Sequence, residues 1–475
     1  MSRRIASAVW AALGGSAWLV GCTVGPDYRP PQPLSGTQPV LLGTEEAQAT
    51  PAQPPSQWWQ LYQDPVLDAL VQEALRANTD LAVAAANLSA ARATLEGARL
   101  GRYPQTQFGA GTERARDAVT DEILEIDGHA PQTFWFYDAM LDVSYEVDLF
   151  GHVRRAIEAA RADTDAALAA RDVVKITVAA ETARAYAQVC ALGEAIAVTR
   201  HSIEVVTHEQ QITADRRDAG AAADFDVVRA QALVAQVRAT LPTLLGQRQS
   251  ALYELAQLLG RPPGGAPQVA QECVQPPTLK ALLPVGDGAA LLARRPDVRQ
   301  AERRLAAATA RIGVATADLY PRISLLGNYG GIGTQVSQVT NSVGLAWGIG
   351  PQISWSFPNQ SPVRARIHQA RAGEQAALAG FDGVVLKALT ETDQSLATYG
   401  AELAHRQELS IARDRARQAF DMAHDQFLAG ASSTLDLLNA ESTSVGADAA
   451  MASADGAVIQ DQIGVFKALG GGWQP

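Results

Sequence analysis

Two places in this sequence end a charged, alanine-rich segment on a proline and begin an alternating segment at once. That repetition constrains the fold more than any other feature. The joints are Leu100-Gly101-Arg102-Tyr103-Pro104-Gln105 and Leu319-Tyr320-Pro321-Arg322-Ile323-Ser324. Downstream of them, Val143-Ser144-Tyr145-Glu146 lies over Ile353-Ser354-Trp355-Ser356, Gly220 over Gly430, and Leu259-Gly260 over Leu469-Gly470, each at an offset of 210. Pro104 and Pro321 are 217 apart, so the strand connection of the second half is the shorter. A fixed offset held over such a length marks a duplicated chain. Each half reads helix, strand, strand, helix, helix.

The helical segments are long and rich in alanine, the best helix former, whose small side chain lets neighbouring backbones approach. One opens at Trp58-Trp59 and Asp64-Pro65 and continues to Gly101, and another runs from His152 to Gly220 without a proline. At a rise of ~1.5 Å per residue the second would be about 100 Å long. A third spans Asp224 to Leu259, with Pro242 expected to kink it. The second half repeats the set from about Asp287 to Leu319, Val363 to Ala429 and Thr434 to Leu469. Helices of this length need neighbours along their sides, as in a coiled-coil bundle or tube. After the leader no run of 18 apolar residues occurs, so no transmembrane helix is expected.

The strand segments carry the clearest functional signal. From Tyr137 to Leu149 the odd positions are Tyr, Ala, Leu, Val, Tyr, Val and Leu, and the even ones Asp, Met, Asp, Ser, Glu and Asp. From Leu345 to Phe357 the odd positions are again apolar or aromatic apart from Pro351, and the even ones small or polar. Period-2 runs of ten or so residues ending in aromatics suit a β-strand with lipid on one side and water on the other. The strands are placed at about 104–113, 136–149, 321–330 and 344–357, joined by polar loops from Arg114 to Gln132 and Gly331 to Ser342. Four strands cannot close a barrel, and lipid tolerates no open edge, so such a chain must assemble with copies of itself.

The amino terminus supplies an address. Arg3-Arg4, an apolar run to Val20 and the ending Leu19-Val20-Gly21-Cys22 describe a secretory leader with a lipobox. Cleavage would leave Cys22 as the first residue, carrying a diacylglyceryl group and an N-acyl chain. Pro/Gln/Thr-rich sequence to Pro55 reads as an extended tether. The expected division is leader 1–21, lipidated tether 22–56, first repeat 57–270 and second repeat 271–475. Cys190 and Cys273 could pair only if the fold brings their Cα atoms within about 7 Å, and both are read as unpaired.

The remaining composition excludes more than it suggests. Net charge is −11 with no basic stripe, which argues against nucleic acid. No metal or cofactor motif is present, and no catalytic one: His208-Glu209 lacks the second histidine of a zinc protease. Gly330-Gly331-Ile332-Gly333, placed in a loop between strands, is no phosphate cradle. The seven histidines are scattered and read as surface residues.

Together these stretches resemble the TolC-like outer-membrane efflux family, and within it the NodT-type lipoproteins of tripartite RND efflux systems. The similarity is carried by Leu19 to Cys22 with Val24-Gly25-Pro26-Asp27-Tyr28, by Trp58-Trp59 through Asp64-Pro65, and by Glu146-Val147-Asp148-Leu149-Phe150-Gly151 with Val153-Arg154-Arg155. The Arg294-Arg295-Pro296-Asp297 block through Ser324, and Phe466 through Trp473, complete it. The resemblance implies a mainly α protein with membrane β: a homotrimer whose four strands per chain build a twelve-stranded outer-membrane barrel. A long periplasmic helical barrel would continue it, gated at its tip and meeting a periplasmic adaptor and an inner-membrane RND transporter. The implied role is a passive conduit for drugs or other small toxic compounds. A type I secretion conduit and a periplasmic coiled-coil scaffold lipoprotein are the rivals.

The same resemblance places the gate at the hairpins turning on Gly220 and Gly430. It implies aperture residues Asp436 and Asn439, with Phe427 tying the hairpins together, and Asp226 and Arg229 in equivalent register on the first hairpin. Asn439 stands where aspartate is frequent in the family, and Ser432 where some members have arginine. The plainer reading makes Asp224 and Ser433 helix N-caps and their neighbours a solvated face.

Overall fold

The computed structural model describes residues 23–31, 41–116, 126 and 133–471, so the leader and Cys22 lie outside the described residues. Its main elements are α1 (Pro65–Ala77), α2 (Thr79–Leu100), β1 (Gln105–Ala115), β2 (Phe134–Val147), α3 (His152–Asp218), α4 (Asp224–Leu258), α5 (Pro296–Ala317), β3 (Arg322–Gly333), β4 (Leu345–Ser354), α6 (Ser361–Leu428) and α7 (Thr434–Ala468). The duplicated order expected from the sequence is present. α4 continues through Pro242 without leaving the helical state. The chain divides into two compact units, one of Met1–Pro31, Ser89–Ala166 and Ala301–Gly380, the other of Gln32–Leu88, Ala167–Gln300 and Phe381–Pro475.

The first unit holds a four-stranded antiparallel sheet in the order β1-β2-β3-β4. Each repeat contributes one hairpin, and β2 pairs with β3 to join the repeats edge to edge. β1 and β4 are the outer strands. Near the proline joints aromatic rings pair, Phe150 on Tyr320 with centroids 4.6 Å apart and Trp355 on Phe357 at 4.7 Å. The Trp355 indole donates to the Leu319 carbonyl at 3.1 Å.

Residues 23–31 are held against the same unit by Arg155, whose side chain is 4% exposed. Its guanidinium donates to the carbonyls of Val24 (3.2 Å) and Gly25 (3.3 Å) and pairs with Asp27 at 2.7 Å. The Tyr28 hydroxyl donates to Glu302 at 2.8 Å. Gly25 has φ +90°, and a Cβ there would strike the Gly313 backbone, while one on Gly313 would strike Arg155 at 2.7 Å. The Val-Gly-Pro-Asp-Tyr stretch is thus a docking segment, and its glycine is required by both conformation and space.

The second unit has the larger apolar core. Trp58 is fully buried and stacks on Phe466, centroids 4.8 Å apart, with Tyr62, Leu67, Val71, Leu255, Leu291, Leu396 and Leu469 around them. Asp64 caps α1 by accepting from the Val66 and Leu67 amides, and the Tyr186 hydroxyl donates to its second oxygen at 3.0 Å. Equivalent helix ends are tied off in each repeat by different chemistry. The Asn78 amide donates to the Leu258 carbonyl at 3.0 Å in the first. In the second, Arg294 donates to Leu469 at 2.9 Å and Arg295 to Ala468 at 2.8 Å. Asn78 and Arg295 are 217 apart, the spacing of the two prolines. Arg295, 7% exposed, also pairs with Asp297 at 2.7 Å and Glu391 at 2.8 Å. The Arg-Arg-Pro-Asp block is therefore a helix-capping and charge-balancing device.

Five expectations need correction. Cys190 and Cys273, read as unpaired, form a disulfide with Cα atoms 4.9 Å apart. The chain after α4 folds back on α3, where Gly193 leaves room for the Cys273 carbonyl and Arg248 donates to it at 2.7 Å. β2 stops at Val147, two residues early, because Asp148 turns to accept from the Val153 and Arg154 amides and start α3, and β4 stops at Ser354, three residues early. Gly330 to Gly333 lie in β3, with Gly331 paired to both Ala139 and Leu345. Asp224 is the first residue of α4, with Ala223 before it as the cap.

Candidate functional site

The sheet sorts its side chains by register. Directly paired residues share a face, so Phe108, Leu141, Tyr329 and Trp347 form one row across all four strands. Parallel rows on that face hold Thr106, Val143, Gly327 and Ile349, and then Val147, Ile323 and Ile353. The opposite face carries Gln107, Asp142, Asn328 and Gly348 in one row, and Glu146, Ser324 and Gln352 in another. Phe108 is 70% exposed, Tyr329 61%, Trp347 70% and Ile349 73%, so the apolar face is left uncovered by the described residues. Trp135 and Tyr137 add a stacked aromatic pair away from the proline joints. An apolar face with aromatics at both ends, backed by a polar face, is the pattern of a sheet set between lipid and water.

The hairpin ends of the second unit repeat one geometry. α3 and α6 finish on Gly220 at φ +74° and Gly430 at φ +75°. The following amides, of Ala221 and Ala431, return to the carbonyls of Arg216 (2.7 Å) and Gln426 (2.8 Å). Only glycine adopts this left-handed turn at low cost. α7 then starts in a full capping box: Ser433 Oγ accepts from the Asp436 amide, and the Asp436 carboxylate accepts from Ser433 N and Oγ at 3.3 and 2.6 Å. Asp226 does half of this at α4, accepting from the Ala223 amide at 3.3 Å.

The expected gate residues separate into two groups. Phe427 is buried, 1% exposed, with the Arg216 guanidinium 4.0 Å over its ring and donating to its carbonyl at 2.9 Å. Phe427 and the first hairpin are therefore joined, through a residue that sequence reasoning missed. Its only local signal is the Arg216-Arg217 pair in the last turn of α3. Asp436 and Asn439 are exposed, one turn apart on one side of α7. Asp226 and Arg229 are half-buried, and Arg229 lies 5.7 Å from the Phe225 ring centre.

Among the described residues no cluster could hold a metal ion, and no helix is long and apolar enough to cross a membrane.

Residues 70–261 and 289–471 match the family described as outer membrane efflux protein. The pyoverdine export outer membrane protein OpmQ of Pseudomonas putida is 30% identical over 455 residues, covering 94% of each chain. Nodulation protein T of Rhizobium leguminosarum bv. viciae is 29% identical, covering 99% of this chain and 94% of its own. Among solved structures, the outer-membrane channel OprN superposes with a TM-score of 0.87 at 35% identity, over 96% of this chain and all of that one.

Proposed function

Since the chain belongs to the outer membrane efflux protein family, we propose how its parts serve as the outer-membrane channel of an efflux system. The family and fold are those of outer-membrane channels rather than enzymes. The observation that carries the proposal is the apolar row from Phe108 through Leu141 and Tyr329 to Trp347, on a sheet whose outer strands have no further partner among the described residues. In lipid those two edges require further strands. Three copies would supply twelve, enclosing an aqueous lumen lined by the polar face.

The anchor is Cys22, acylated after leader cleavage and followed at once by the segment that Arg155 clamps. The periplasmic partners are an adaptor protein and an RND transporter, and the cargo is drugs or other small toxic compounds. The transporter sets the selectivity, since an open lumen offers no pocket. The gate lies at the hairpin ends: Phe427 and Arg216 hold them together, and Asp436 and Asn439, repeated by the trimer axis, ring the aperture. Asp226 and Arg229 flank it. A carboxylate ring at a constriction draws cations and repels itself.

One experiment tests both levels. Light scattering of the detergent-extracted mature protein should give three times the mass of one chain, and planar bilayers should show discrete single-channel currents. A mass of two or four chains would sink the three-fold closure, and silent bilayers the conduit. The Asp436→Ala/Asn439→Ala variant should assemble normally and conduct more. Unchanged conductance would remove both residues from the gate.

A further inference from the structure

Near the hairpin ends three ionisable side chains lie where apolar ones would be expected. Glu209 on α3 is 3% exposed and Glu441 on α7 is 1% exposed. Close by, Val206, Val234 and Val237 pack together with Val445. His424 on α6 places Nδ1 3.2 Å from one oxygen of Glu209. The other Glu209 oxygen and both oxygens of Glu441 have no hydrogen-bond partner among the described residues. A buried carboxylate without partners is costly as an anion and is better tolerated as the neutral acid.

The surroundings do not relieve Glu441. A cavity of about 260 Å³ adjoins it, with Arg417 and Asp421 from α6, His201 from α3 and Asp448 from α7 among its lining. Arg417 is engaged by Asp448 at 2.7 Å, and His201 faces Glu204 at 3.9 Å. From α4 come Val234 and Val237, while Arg238 donates to Thr207 at 3.2 Å. Burial first, and the Glu209 carboxylate second, push the Glu441 carboxyl up to about 8.

We propose that Glu209, His424 and Glu441 form a proton-operated lock that holds α7 against α3 and α6 while Glu441 keeps its proton and lets them part when Glu441 ionises. The proposal rests on the reading of these hairpins as the gate. The sign follows from linkage. Glu441 titrates higher in the packed state than the ordinary 4.5, so packing keeps its full stability below 4.5 and loses it as pH rises towards about 8. If the parted state leaves Glu441 solvated, the ratio of packed to parted hairpins falls by about tenfold per pH unit across that window. The lock is closed in acid and released in alkali. The Glu209 carboxylate, 3.2 Å from His424, supplies the repulsion that drives the release.

The test uses the full-length protein and two readouts. Single-channel open probability in planar bilayers is recorded from pH 5 to 9. In parallel, trypsin cleavage at Arg216 and Arg217 is followed on the detergent-extracted protein over the upper part of that range. For the wild type, open probability and cleavage should both rise with pH. Glu441→Gln keeps the shape and cannot ionise, so both profiles should become flat relative to the wild type. Glu209→Gln removes the repelling charge, so the packed hairpins tolerate an ionised Glu441 better and both readouts should rise less with pH than in the wild type. A Glu441→Gln profile that follows the wild type, or a wild type with no pH response, overturns the lock. Absence of current at every pH would count against the conduit reading instead, and the cleavage profiles would then decide the lock alone. If Glu441→Gln fails to assemble, the Glu209→Gln profiles decide, and a rise with pH equal to or greater than that of the wild type overturns the proposal.

Discussion

Arg216 closes a gap of 211 residues along the chain. Its guanidinium lies 4.0 Å over the Phe427 ring and also donates to that residue's carbonyl, so one side chain ties the end of α3 to the end of α6. Such a cation–ring contact contributes about 0.5–2 kcal/mol, more where water is excluded, and the hydrogen bond roughly another 1 kcal/mol. Arg216→Ala should therefore raise open probability in bilayers several-fold without changing the assembled mass, and Arg216→Lys should recover part of the loss. An unaltered open probability for Arg216→Ala would show that the contact does not restrain the channel. The family resemblance pointed to Phe427, whereas Arg216 could not be paired with it from sequence because the partners are 211 residues apart. Glu209 and Glu441 left a fainter trace. Each interrupts a helical face otherwise set by buried residues, Val206 and Thr213 beside the first, Leu437, Leu438 and Ser444 beside the second. That interruption is a signal only when burial of the face is known.

At the scale of elements, the disulfide fixes where the chain goes after α4. It joins Cys273 to the middle of α3 across a separation of 83 residues. Closing a loop of that size stabilises a fold by about 2–4 kcal/mol, chiefly through the unfolded chain. Cys190→Ser should lower the thermal midpoint of the extracted protein. Adding reductant to the wild type should have the same effect, and adding it to the variant none. Equal midpoints for all samples would show that the link is energetically idle. The strands were legible because period-2 alternation is local, and the duplicated order because an offset of 210 needs no structure to be seen. Strand ends were less so: Asp148 fits the alternation of β2 but is used to cap α3. The cysteine pair was not legible at all, since nothing in its spacing shows the segment after α4 coming back onto α3 at Gly193.

For the whole molecule the two faces of the sheet make opposite forecasts. Ile349 sits on the apolar face and Asn328 on the polar one. A lysine at Ile349 places charge in lipid, costing about 2–4 kcal/mol near the midplane, and should cut the yield of assembled channel in membranes. Asn328→Lys should assemble normally and shift ion selectivity towards anions. Equal yields for both variants would contradict the assignment of the faces.

The pairing of β2 with β3 has a further consequence. It is the seam between two copies of one ancestral unit, and the seam proposed between chains, β4 to the next β1, has the same parentage. One ladder is unimolecular, with a local concentration set by the covalent chain, and the other depends on how much protein the membrane holds. Equal damage to the two seams would therefore have unequal effects. A weakened internal seam persists at any dilution, while a weakened external one turns assembly into a matter of expression level.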